Sequence, residues 1–147
     1  MRLAIDVMGG DQGPHAIIAG SARAVLEHPG LELILFGPRQ QITAELSRLP
    51  QPLAAAMSRL VARDSPDSVM QGATAAWALR RGRATSMAHM LQCVAQGEAV
   101  AGVSAGNTAA LVALARRELG MVEGISRPAI STAIPARQGR RCYLLDL

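Results

Sequence analysis

An α/β fold with a mostly parallel sheet, covered on both faces, is what this chain of 147 residues predicts. Three observations point there. Short apolar runs alternate with longer segments whose apolar residues recur at helical spacing, the pattern of successive βα units. Two glycine-rich turns, Met8–Pro14 and Ser104–Thr108, each follow such an apolar run, where parallel sheets bind ligands. Half of the residues are hydrophobic, yet the only aromatics are Phe36, Trp77 and Tyr143. The core is therefore built from Ala, Val, Leu, Ile and Met, which suits helices packed closely on a sheet.

The elements follow in order. Arg2 to Val7 reads as a first strand, and the Asp6–Pro14 stretch after it, dense in glycine, is a tight turn. Pro14 suits the first turn of a helix, which His15 to Glu27 continues with Ile17, Ile18, Ala22, Val25 and Leu26 on one face until His28-Pro29-Gly30 stops it. Leu31 to Phe36 is a second strand, and Arg39 to Leu49 an amphipathic helix with Ile42, Leu46 and Leu49 inward. Ala54 to Ala62 is ambiguous: it begins like a helix, while Arg59 to Ala62 fits a short third strand. Ser65 or Asp67 is positioned to cap the next helix, expected over Met70 to Arg80, and Thr85 to Gln96 is a further helix. Glu98 to Ser104 is a strand, Asn107 to Leu119 a helix, and Pro128 to Ile134 and Arg141 to Leu147 two more strands. The chain stops inside the apolar Leu144-Leu145-Asp146-Leu147, an ending expected of a truncated chain.

Composition excludes several classes. No apolar run approaches the ~18 residues that span a bilayer, and Asp6 follows the start too soon for a secretory signal, so a cytoplasmic protein is expected. Cys93 and Cys142 are too few and too far apart for a disulfide framework or metal knuckle; both are expected to be reduced core residues. No metal-ligand set is evident. The net charge is +4 and every basic residue is Arg. Arg80, Arg81 and Arg83 form the tightest cluster, either a solvated face or a surface for an acidic partner. With no nucleic-acid motif and few aromatic platforms, nucleic-acid binding is not expected. A nucleotide site is disfavoured too, since the first turn lacks a clean Gly-x-Gly-x-x-Gly and there is no Walker lysine.

The chemistry is expected at Val100 to Leu111. Strand, glycine turn and helix N-terminus aim unpaired N–H groups and the positive end of a helix dipole at one spot, which suits an oxyanion such as phosphate. Ser104, Gly106, Asn107 and Thr108 are its candidate residues, with an ordinary turn capped by Asn107 as the competing reading. Gly9, Gly10 and Asp11 form the neighbouring lip. Asp6 and Asp11 orient a donor, a water or a substrate arm, or else make Asx turns. Ser86 holds an anion if its helix begins at the cleft, and is otherwise a cap. Arg127 is a bidentate phosphate partner or a solvated arginine. His15, His28 and His89 are read as structural, and Met87 and Met90 as core.

Several of these words occur together in a known family. Asp6-Val7-Met8-Gly9-Gly10-Asp11-Gln12-Gly13-Pro14, Ser86-Met87, Gly97-Glu98-Ala99, Ser104 through Leu111, and Gly124-Ile125-Ser126-Arg127-Pro128-Ala129 stand in one order. In that order they resemble the bacterial phosphate:acyl-[acyl carrier protein] acyltransferases of phospholipid synthesis. The similarity runs along essentially the whole chain but covers less than half of a usual member, so residues 1–147 correspond to the N-terminal portion of one acyltransferase domain. Two positions depart from the pattern: Thr85-Ser86 stands where the family has paired serines, and Ala109 where a glycine often follows Asn-Thr.

The resemblance implies a Rossmann-like three-layer α/β/α fold, similar to phosphate acetyltransferases and the isocitrate dehydrogenase group. It implies a homodimer, soluble or peripheral at the inner face of the membrane. It also implies fatty acyl transfer from acyl carrier protein to inorganic phosphate, giving acyl phosphate without a cofactor. On that footing Asn107, Ser104 and Asp11 are the expected catalytic residues, and Gly9, Gly10, Ser86, Gly106, Thr108 and Arg127 the expected substrate contacts.

Overall fold

A computed structural model describes residues 1–146. Strands β1 (Arg2–Asp6), β2 (Glu32–Gly37), β3 (Leu60–Asp64) and β4 (Ala101–Val103) form one sheet in the order β3-β2-β1-β4. Every pairing in it is parallel, with Ile5 opposite both Leu35 and Val103. The connections carry helices, as parallel pairing demands: α1 (Gly13–Glu27), α2 (Arg39–Ser47), a short α3 (Gln51–Ala54), α4 (Ala75–Arg81), α5 (Ser86–Ala95) and α6 (Thr108–Leu119).

Strand alternation divides the core into two layers. Ile5, Leu33 and Leu35 face α1 and α2, packing with Ile18, Ala22, Val25 and Ile42. Ala4, Ile34 and Phe36 face the other way, onto Ala78 of α4, Met87, Met90 and Leu91 of α5, and Ala110 and Leu114 of α6. Ile18, Ile34, Leu35, Ile42, Met87 and Met90 are fully buried, each stabilising by about 1.5–3 kcal/mol of transfer free energy. The three layers expected from sequence are present, and the Met87/Met90 face is core.

The differences from expectation are local. Met70 to Thr74 is not helical: Gly72 adopts φ 82°, and Thr74 caps α4 by accepting the Trp77 N–H at 3.1 Å. Neither Ser65 nor Asp67 is that cap; Ser65 is buried, its hydroxyl 2.7 Å from His89 Nδ1. Thr85 caps α5 rather than beginning it. The fourth strand is only three residues long, because Glu98 lies in the preceding turn with its carboxylate on Arg63. Strands β5 (Ile130–Pro135) and β6 (Arg141–Asp146) stand apart as an antiparallel hairpin, since the short Ala136–Arg140 link is too brief for a parallel crossover. Gln138 and Gly139 make its turn with φ of 59° and 71°. Cys93 is buried as expected, but Cys142 is exposed on this hairpin, so it is not a core residue. Leu147, the end of the expected last strand, lies outside the described residues.

Candidate functional site

The carboxyl ends of β1 and β4 are neighbours in the sheet, so the turns that follow them meet. Meeting requires glycine. A Cβ on Gly9 would lie 2.7 Å from the Gly106 nitrogen and 2.8 Å from Ser104 Oγ, closer than side chains pack. Gly10, at φ 108°, makes the first turn's left-handed step, and a Cβ there would sit 3.4 Å from that of Ala105.

A cleft of about 690 Å³ opens over this junction. Met8, Gly10 and Asp11 line one side, Ala105 through Ala109 another, and Val69 and Gln71 a third. Thr108 and Ala109 are in the first turn of α6, where backbone N–H groups have no acceptor within the helix. The cleft thus receives the positive end of a helix dipole of twelve residues.

Beneath the cleft lies Asp6, only 2% exposed. Alternation along β1 turns it toward α5, where its Oδ1 accepts the Ser86 hydroxyl at 2.6 Å and the Met8 N–H at 3.2 Å. Its Oδ2 accepts the Ser104 hydroxyl at 2.7 Å, and Ser104 Oγ in turn accepts the Gly106 N–H at 3.1 Å. Asn107 caps α6, its Oδ1 accepting the Ala110 N–H at 2.9 Å while its Nδ2 donates to the Ala73 carbonyl at 3.0 Å. Asp11 accepts from Gln71 Nε2 at 2.9 Å.

The expected residues therefore divide. Gly10, Asp11, Gly106, Asn107 and Thr108 line the cleft. Gly9, Ser86 and Ser104 form its floor, both serine hydroxyls being turned onto Asp6. Arg127 does not line the cleft: it lies in an adjoining groove beside α4 and α6 with Arg116 and Arg117, which shares Ala109 with the cleft. Arg80, Arg81 and Arg83 are exposed at the end of α4 and in the turn after it. Sequence reasoning missed the 69–73 segment, which supplies Val69, Gln71 and the Ala73 carbonyl; Gly72 within the expected helix was the available signal.

Two comparisons bear on this arrangement. A family model described as "Fatty acid synthesis protein" matches residues 1–147, the whole chain. The chain belongs to that family. Among curated relatives, a Bradyrhizobium protein named phosphate acyltransferase is 45% identical over 148 residues, covering 100% of this chain and 40% of the relative. Proteins of the same name from Photobacterium profundum and Stutzerimonas stutzeri are 42% and 43% identical. They are matched over 100% and 99% of this chain, and over 42% and 40% of their own lengths. The chain thus spans about two fifths of the length of these relatives. Among the described residues no helix is long and apolar enough to cross a membrane.

Proposed function

We propose that this chain carries the phosphate-binding cleft of an acyltransferase that moves a fatty acyl group from acyl carrier protein to inorganic phosphate, yielding acyl phosphate for phospholipid synthesis. The observation that supports it is the meeting of both glycine turns under the α6 N-terminus in a member of this family. A phosphate oxygen attacks the thioester carbonyl, the C–O bond forms, the C–S bond breaks, and the thiol leaves with a proton. Phosphate is already nucleophilic, so the protein's task is placement and charge stabilisation.

In this reading the N–H groups of Thr108 and Ala109 and the Thr108 hydroxyl hold the anion. Asn107 fixes the helix start that presents them, and Gly10 and Gly106 let the thioester approach the backbone. Asp11 orients the donor arm from the opposite lip, and Ser104 and Ser86 support the floor. Arg127 belongs to the surface that meets the carrier protein or the rest of a homodimer, with Arg80, Arg81 and Arg83. The site needs no cofactor, and the setting is the cytoplasm or the inner face of the membrane.

A second reading is a chain that binds acyl carrier protein or self-associates without turnover. The bare hairpin favours it: Tyr143, Leu144 and Leu145 are all more than half exposed. Assay of acyl phosphate from acyl carrier protein thioester and phosphate separates the two. Product from this chain supports the first. No product here, but product from a chain of the relatives' length, supports the second.

A further inference from the structure

We infer that Asp6 is a positioning residue whose carboxylate, clamped by the hydroxyls of Ser86 and Ser104, sets the spacing of the two glycine corners and thereby the shape of the cleft. The identity of the ligand rests on the phosphate reading above; the clamp itself does not.

A carboxylate buried this deeply is costly unless its oxygens are satisfied. Asp6 has no arginine, histidine or amino-terminal partner among the described residues. Its three donors come instead from the Met8 backbone, the first turn of α5 and the residue after β4. Ser86 and Ser104 are 80 and 98 positions away in sequence, so one side chain ties together three separate parts of the fold.

What the carboxylate draws together, glycine permits. The Cβ that Gly9 lacks would also sit 3.0 Å from Asp6 Oδ2. One on Gly106 would be 3.0 Å from Met87 Cε and 3.3 Å from Gly9 Cα. Gly9 is outside the positive-φ set, so space, not backbone conformation, requires it.

The clamp also decides which donors are free. Ser86 and Ser104 each spend their single hydroxyl hydrogen on Asp6, and the Gly106 N–H is spent on Ser104. None of the three reaches a ligand unless the clamp opens. Recognition is left to the α6 first turn, whose position relative to Gly10 the clamp fixes.

The test measures amide hydrogen exchange by NMR and titrates inorganic phosphate calorimetrically, on the whole chain and on Asp6→Asn, Ser86→Ala and Gly9→Ala. Opening the clamp is expected to speed exchange at Gly106 about tenfold, the scale of one lost hydrogen bond, while Leu33 and Leu35 in β2 keep their rates. Phosphate affinity should fall about tenfold in Asp6→Asn, as expected for one such bond. Gly9→Ala, which deletes no clamp atom but forces the two corners apart, should match it. Equal acceleration at Gly106 and in β2 would show that Asp6 only stabilises the fold, and unchanged exchange at Gly106 would also overturn the clamp. If the unaltered chain binds no phosphate, the ligand reading fails and the exchange data alone decide the clamp. Should Asp6→Asn not fold, Ser86→Ala and Gly9→Ala carry the same comparison, since neither removes the acceptor of the Gly106 N–H.

Discussion

Asn107 uses both ends of its amide, one on α6 and one on the Ala73 carbonyl. Asn107→Ala is expected to lower stability by about 0.5–2 kcal/mol, the range for a lost N-cap, and to weaken phosphate binding by more than that loss alone. Denaturant melts beside a phosphate titration check this; equal losses would leave Asn107 a cap and nothing more. Thr85 offers a buried comparison. Its hydroxyl donates to the Gly82 carbonyl at 2.7 Å and accepts the Ala88 N–H at 3.3 Å. Thr85→Ala strands the Ala88 N–H and leaves the Gly82 carbonyl only the Thr85 N–H at 3.4 Å, so it should cost about 1–3 kcal/mol, while Thr85→Ser recovers most of it in the same melts. The Asn107 cap was legible in the sequence because cap and helix are adjacent in the chain. The Asp6 clamp was not, because its partners are far away in sequence and only the sheet order 3-2-1-4 brings them together.

Among the elements, β4 is short and rests directly on α5. A Cβ on Gly102 would meet Met90 Cε at 3.1 Å and Sδ at 3.2 Å. Gly102→Ala should therefore cost about 1 kcal/mol, the low end for overpacking, because the thioether end is flexible. A shift in the melting midpoint checks it. The turn entering β4 is tied to β3 by Glu98 and Arg63, whose hydrogen bond holds the Glu98 carboxyl below its ordinary value of 4.5. A lowered folded-state value means the contribution is present above pH 4.5 and lost as pH falls through the lowered value. Arg63→Gln should therefore melt earlier than the unaltered chain near neutral pH, with the gap closing as the solution is acidified; a constant gap would rule this out. Helical periodicity placed α1, α2, α5 and α6 to within about two residues. It failed at Met70 to Thr74, where alanine-rich composition mimics a helix but Gly72 turns the chain.

For the whole molecule, the parallel sheet and its two covered faces followed from alternating strand and helix patterns, and the junction of both turns followed from parallel topology. The hairpin did not, because apolar strands read alike whether or not anything packs on them. Neither β5 nor β6 packs substantially against another named element among the described residues, and a lone two-stranded hairpin is marginal in water. Removing residues 128–147 should move the main unfolding transition by less than about 0.5 kcal/mol, and hairpin amides should exchange far faster than those of β2. The sheet order has one further consequence, for biosynthesis. Residues 1–64 complete β3-β2-β1 before β4 exists, so a nascent chain emerges with the strand that will lie inside the finished sheet still at its border. Until Ala101 arrives, that border presents unpaired backbone groups to any passing extended peptide.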